Sequence, residues 1–162
     1  EEAVISAEKL NRFGIGATFG FIVGFPEEEF SYTLKTLDTI KQIKKINPNF
    51  EFNIFFFTPY PGTELFNYIV KKGFHVPQTL SEWSDIDFIL YSGYWVSKSE
   101  QEYVERFKFY TKLATEQRYS QGIIKPFQKL AGLRVKNDSY NFPIEQRMIN
   151  FVRHRILNQV NW

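Results

Sequence analysis

Hydrophobic positions change their period repeatedly through the first half of the chain, and each change marks an element boundary. Val4, Ala7, Leu10 and Phe13 recur at helical spacing and Gly14 suits a left-handed stop, so residues 2–13 read as the end of a helix. Residues 17–25 form an apolar run of strand length ended by Pro26, as expected of a strand buried on both faces. Residues 27–46 return to helical spacing, with Phe30, Leu34, Leu37 and Ile40 in one stripe. Glu27, Glu28 and Glu29 fall in its predicted first turn, and Lys41, Lys44 and Lys45 in its last, as the helix dipole favours. Pro48 follows the stop. Residues 50–57 make a second strand, and Gly62-Thr63-Glu64 opens a short helix to Lys72, with Gly73 beyond it. Helix–strand–helix–strand–helix predicts a parallel sheet with right-handed crossovers.

Alternation sorts each strand into two faces. Phe19, Phe21, Val23 and Phe25 share one face of the first strand; Thr18, Gly20, Ile22 and Gly24 share the other. In the second strand Phe50, Phe52, Ile54 and Phe56 oppose Glu51, Asn53, Phe55 and Phe57. The large apolar faces suit packing under crossover helices. Faces with Gly, Thr, Glu and Asn make a poor dry core and a reasonable wall for a ligand-filled interior. Glycines that only let strand and helix approach closely are the simpler explanation for either strand alone; the same asymmetry in both shifts the balance toward a cavity.

Beyond residue 75 the pattern becomes helical throughout. Thr79-Leu80-Ser81-Glu82 and Ser99-Glu100-Gln101-Glu102 each fit a capping box. Residues 85–97 read as a loop with a little strand. Residues 99–119 read as a long helix with Tyr103, Phe107, Tyr110 and Ala114 on one stripe. Residues 121–134 read as helical with an interruption at Pro126, and residues 143–159 as helical again from Pro143.

The 162 residues suffice for one domain or part of a larger one. Eighteen Phe, nine Tyr and three Trp point to bulky packing before they point to a flat ligand. A net charge of +2 with scattered Lys and Arg does not call for nucleic acid. The absence of cysteine excludes disulfides and thiolate-ligated metal within this chain. His75 and His154 have no neighbour at metal-ligand spacing, so no metal residue is assigned. No apolar run approaches the ~20 residues of a membrane span and no signal peptide is visible, so a cytoplasmic location is expected. The missing initiator Met and the helical start predict a piece of a longer protein.

Two corners carry the candidate chemistry. At Gly24-Phe25-Pro26-Glu27-Glu28 a strand-end glycine would let a flat ligand touch the backbone, beside a helix N-terminus. The glutamates there either bond ribose hydroxyls or an amino group, or simply complement the dipole. At Thr58-Pro59-Tyr60-Pro61-Gly62-Thr63-Glu64 two prolines stiffen the turn and Thr63 can cap the next helix. That loop is either a rigid corner or a preorganised wall with Thr58 and Tyr60 exposed at a barrel mouth. Arg153, His154 and Arg155 read as a solvated helix face. No nucleophile–base pair or paired carboxylates stand out, so no catalytic residue is assigned.

At these residues the sequence resembles the radical S-adenosylmethionine enzymes. Gly20-x-Ile22-x-Gly24-x-x-Glu27 matches the family's GxIxGxxE pattern on the fifth strand of a six-stranded partial barrel. Phe57-Thr58-Pro59-Tyr60-Pro61-Gly62-Thr63 looks like the sixth strand and its exit loop. The usual GxPGET run reads Gly-Phe-Pro-Glu-Glu-Glu here, with Glu27 replacing the second glycine and Glu29 the threonine. Glu82-Trp83, the stretch through Tyr94-Trp95, Lys129–Arg134 and Phe142-Pro143-Ile144-Glu145 are similar to the C-terminal helical region of the cobalamin-binding subgroup, which includes anaerobic magnesium-protoporphyrin monomethyl ester cyclases.

The resemblance implies an α/β fold: the C-terminal fragment of a partial (β/α)6 TIM-like barrel over residues 1–73, then an all-α C-terminal region over 74–162. It implies S-adenosylmethionine, a 4Fe–4S cluster and cobalamin in the intact protein, none held stably by this chain alone. The cluster loop, CxxxCxxC, is absent. Thr18, Gly20, Ile22, Gly24, Glu27, Phe57, Thr58 and Tyr60 would belong to the cofactor wall, and the isolated chain would be inactive. The parent would be an oxidoreductase or methyltransferase acting on a small molecule, with a tetrapyrrole-like substrate one possibility. A methylthiotransferase-type fragment and a non-catalytic ligand- or partner-binding module are the alternatives. The expected partners are the missing N-terminal part of the same protein and, through exposed strand edges, a second copy.

Overall fold

Two parallel strands and the helix that crosses between them organise the first part of the molecule. The computed structural model describes residues 1–84, 86, 93–115 and 125–149. Its elements run α1 (Glu2–Arg12), β1 (Thr18–Val23), α2 (Phe30–Ile46), β2 (Glu51–Phe56), α3 (Glu64–Lys71), α4 (Leu80–Ser84), α5 (Lys98–Thr115) and α6 (Lys125–Lys136). Residues 144–149 are also helical. The architecture is mixed α/β and mostly helical. Among the described residues the only sheet has two strands, so a partial α/β arrangement is present and a closed barrel is not.

The strands pair in parallel from Thr18 opposite Glu51 to Val23 opposite Phe56. Their burial follows the predicted alternation. Phe52, Ile54 and Phe56 are buried while Glu51 and Asn53 are exposed; Val23 is buried while Thr18, Gly20 and Ile22 are exposed. The covered side is filled by Ala7, Ile43 and Phe50, with Val4, Leu10, Phe19 and Phe21 packed around them. A second cluster, Phe57, Phe66, Ile69 and Phe74, gathers Phe25, Trp83 and Trp95.

Several boundaries differ from the pattern-based expectation. Helix α2 begins at Phe30, so Glu27 and Glu28 lie in the preceding turn and Glu29 is the N-cap; no acidic residue occupies the first turn. Pro26 and a left-handed Glu27 (φ 64°) delay the helix. Its buried stripe is Thr33, Leu37, Ile40 and Ile43 rather than one through Leu34, which is exposed. Helix α5 is capped two residues earlier than expected: Ser97 Oγ accepts from the Glu100 backbone N–H at 3.2 Å, and Glu100 returns a bond to the Ser97 N–H at 2.8 Å. The Ser-Lys-Ser-Glu-Gln-Glu run offers the same pattern in two registers, and the earlier one also lets Val96 be buried. Pro126 is the second residue of α6 as described, and residues 121–124 of the predicted helix before it lie outside the described residues. The rest of the predicted 99–119, 121–134 and 143–159 helices, with Arg153, His154 and Arg155, lies outside the described residues, as does most of the 85–92 loop.

The chain divides into two units, Glu1–Gln101 and Glu102–Trp162. In the first, Phe74 belongs to the strand-end aromatic cluster and Val76, Trp83, Ile86 and Trp95 pack on it. In the second, Tyr140 stacks on Tyr110 at 5.9 Å and meets Tyr103 edge-on at 5.0 Å. Arg134 binds Glu145 at 2.9 Å and donates to the carbonyls of Ser139, Asn141 and Phe142, which pins the loop after α6. Tyr110 donates to the other oxygen of Glu145 at 2.9 Å.

Candidate functional site

The eight predicted site residues fall into three environments. Thr18, Gly20 and Ile22 share the open face of β1, beside Glu51, Asn53 and Phe55 of β2. Among the described residues nothing covers this face at Gly20: a Cβ there would meet no heavy atom within 4 Å. Ile22 is 55% exposed. The Thr18 hydroxyl donates to a Glu51 carboxylate oxygen at 3.4 Å across the strand pair. The face therefore carries an apolar end at Ile22 and Phe55, a bare backbone at Gly20, and hydrogen-bonding groups at Thr18, Glu51 and Asn53. A flat polar-rimmed molecule could lie on it.

The Gly24 corner is different. Gly24 is left-handed (φ 70°), and a Cβ there would lie 2.8 Å from Val96 Cγ2 and 3.1 Å from Phe56 Cδ1. The indole N–H of Trp95 donates to the Gly24 carbonyl at 2.9 Å. The close approach that glycine permits is used by the chain's own residues 95–96, not left free for a ligand as the sequence suggested. Glu27, next along, takes a left-handed conformation (φ 64°) that glycine adopts more readily. Its carboxylate binds Lys72 at 2.8 Å and accepts the Tyr68 hydroxyl, so the expected free hydrogen-bonding group is already engaged. These two donors hold the Glu27 carboxyl below its usual range, and Glu27 in turn raises Lys72 and Tyr68.

The β2 exit forms the third environment. Phe57 is buried, stacked on Phe25 at 5.2 Å and tilted against Trp95 at 6.0 Å. Thr58 is only 7% exposed, and its hydroxyl turns back to the Phe56 carbonyl at 3.4 Å, which corrects the expectation of an exposed threonine. Tyr60 is 57% exposed, as expected. Thr63 caps α3 by accepting from the Phe66 N–H at 3.1 Å.

Sequence reasoning missed Val96, Tyr68 and Lys72, which together with Trp95 complete the two corners. Trp95 reaches Gly24 across 71 positions, a separation no local pattern encodes. Lys72 and Tyr68 sit four apart on α3 and its cap, so their shared side was readable, but their acidic partner was not. Among the described residues no group of His, Cys, Asp or Glu could hold a metal ion, and no helix is long and apolar enough to cross a membrane.

An uncharacterised methyltransferase of Pyrococcus horikoshii is 29% identical to this chain over 92 residues, which cover 56% of the chain and 19% of that relative. The chain thus matches about a fifth of its relative's length. No protein-family profile matches the sequence, and no solved structure matches it.

Proposed function

We propose that this chain forms part of a radical S-adenosylmethionine enzyme of the cobalamin-dependent, methyl-transferring or oxidative-cyclising kind. In this reading β1 and β2 are the last two strands of a partial barrel, and their open face is one wall of the S-adenosylmethionine site. The observation that carries it is the parallel pairing of β1, which opens GxIxGxxE, with β2, which runs directly into FTPYPGTE, and a Gly20 whose added Cβ would meet no described atom within 4 Å. The likeness to a protein named a methyltransferase supports transfer of a methyl group over the methylthiotransferase alternative.

The residues present fit S-adenosylmethionine in part. Gly20 admits a planar ring against the backbone, Ile22 and Phe55 offer apolar contact, and Thr18, Glu51 and Asn53 offer partners for hydroxyl or amino groups. The Gly24 corner does not fit direct ligand contact, because Trp95 and Val96 fill it; it fixes the strand end instead. A 4Fe–4S cluster does not fit this chain, which has no cysteine, so its ligands would come from other residues of the intact protein. When bound, the cluster and cofactor would supply a radical or methyl-transfer step; the role of this chain is to bind, orient and exclude water.

The test is the intact protein encoded by the natural reading frame, purified without oxygen. The expected result is about four irons per chain, and release of 5′-deoxyadenosine from S-adenosylmethionine on reduction. Iron-free protein that neither binds nor cleaves S-adenosylmethionine would overturn the reading in favour of a non-catalytic binding module.

A further inference from the structure

Parallel α/β sheets take their ligands at the carboxyl ends of the strands. A short turn, Gly93-Tyr94-Trp95-Val96, lies against both of those ends here. The Val96 N–H donates to the Gly93 carbonyl at 2.9 Å and closes the turn. The Trp95 indole N–H donates to the Gly24 carbonyl, just past β1, at 2.9 Å. The same ring meets Phe57, just past β2, with centroids 6.0 Å apart. Val96 is buried and packs on Gly24, and Ser97 with Glu100 then caps α5. The turn is therefore fixed to β1, to the β2 exit and to the start of a helix.

Gly93 permits this arrangement. A Cβ at Gly93 would overlap the Trp95 ring, so the indole folds back over a backbone that glycine leaves bare. Within the turn Gly93 and Val96 are buried and Trp95 is half-buried, while Tyr94 is 68% exposed. The Tyr94 ring stands edge-on to the indole, with centroids 5.0 Å apart and planes at 72°. Among the described residues its hydroxyl has no hydrogen-bond partner. The neighbouring rings of Phe57, Phe66 and Phe74 are turned inward, so Tyr94 is the ring this turn presents to solvent.

We infer that Tyr94 is a ligand-stacking residue, with Trp95 the positioning residue that holds it at the strand ends. Its ring takes a planar heteroaromatic group, which in the cofactor reading is the adenine of S-adenosylmethionine. The inference rests on that reading and adds a contact from outside the two strand motifs. The chemistry of the turn selects this kind of group. It carries no charged side chain, so it suits an uncharged base rather than a carboxylate or phosphate. A tyrosine offers a flat face for stacking and a hydroxyl for the polar rim of the base. A ring already held in place loses little freedom on binding, which favours contact at low entropic cost.

The experiment is calorimetric titration of S-adenosylmethionine into the intact natural protein, purified without oxygen. Tyr94→Ala and Tyr94→Leu are expected to weaken binding at least about fivefold. Tyr94→Phe keeps the ring and is expected to stay within about twofold of wild type. Tyr94 is exposed, so all three variants should keep the wild-type melting temperature. Trp95→Phe is expected to weaken binding when Tyr94 is present and to add nothing to Tyr94→Ala, a coupling that general destabilisation would not produce. Unchanged affinity in Tyr94→Ala overturns the inference and leaves the cofactor reading standing. So does a leucine variant that binds as well as the phenylalanine one, or a Trp95→Phe loss that simply adds to that of Tyr94→Ala. A wild type that does not bind S-adenosylmethionine overturns the cofactor reading, and the inference with it.

Discussion

The Trp95 indole N–H donates to the Gly24 carbonyl at 2.9 Å, tying residue 95 to the end of β1. Val96 packs on the same glycine, and Ser97 with Glu100 then caps α5. The corner is thereby closed from within. Trp95→Phe keeps most of the ring packing but leaves the Gly24 carbonyl without its partner, and is expected to cost about 1–2 kcal/mol. Gly24→Ala adds a methyl against Val96 at a left-handed position and is expected to cost about 2–4 kcal/mol. Urea titration of both variants checks the order.

Glu27 stands in a left-handed conformation, φ 64°, which a residue with a Cβ adopts only at a cost. Its ion pair with Lys72 is exposed and adds little to stability. Glu27→Gly trades that pair for relief of about 1 kcal/mol of backbone strain and is expected to be neutral or slightly stabilising. Glu27→Ala keeps the strain and loses the pair, so it should fall about 1 kcal/mol below the glycine variant. Thermal denaturation of the two side by side measures the difference.

Arg134 and Glu145 form a largely buried pair in the second unit, Glu145 being 6% exposed. Arg134→Met removes one charge and leaves the other, and is expected to cost about 3–5 kcal/mol. Replacing both, Arg134→Met with Glu145→Met, should recover a large part of that loss. Denaturant unfolding through the double-mutant cycle is the check.

Tyr110 and Glu145 also set a pH window. Burial, and then the bond to Glu145, push the Tyr110 hydroxyl up from 10.0 to about 12. A raised folded pKa gives stability that is complete below pH 10 and lost as pH climbs toward 12. For Glu145, burial raises the carboxyl, but its own backbone N–H, Arg134 and Tyr110 together outweigh it and leave the net shift downward. That contribution is present above the ordinary value of 4.5 and lost as pH falls through the lower folded value. Melting curves should therefore decline at both extremes, and Tyr110→Phe should shrink the alkaline decline and, through the lost bond to Glu145, weaken part of the acid one.

Local signals were legible in the sequence; contacts across long separations were not. Alternation along β1 and β2 assigned the buried and open faces, because side-chain direction in a strand depends on position alone. The Thr63 cap of α3 was readable for the same reason. The start of α2 was misplaced because three glutamates suit a first turn, yet Pro26 and the left-handed Glu27 hold them outside it. Between a rigid corner and an exposed wall at Thr58 the sequence could not choose, because burial at a strand end is not set by the local motif; the structure buries it. The Gly24 corner was the largest miss: glycine signals close approach but not by what, and the answer lay 71 positions away at Trp95.

The central claim is that the bare face at Gly20 is a wall of an S-adenosylmethionine site. Its most direct test is the affinity for S-adenosylmethionine of the intact natural protein, purified without oxygen, as wild type and as Gly20→Val. A Cβ added at Gly20 would meet no described atom within 4 Å, so the variant is expected to fold while its side chain blocks the face, with circular dichroism as the check. The account predicts binding by the wild type and a loss of roughly tenfold or more in the variant. Equal affinity in both, or no binding in either, would contradict it.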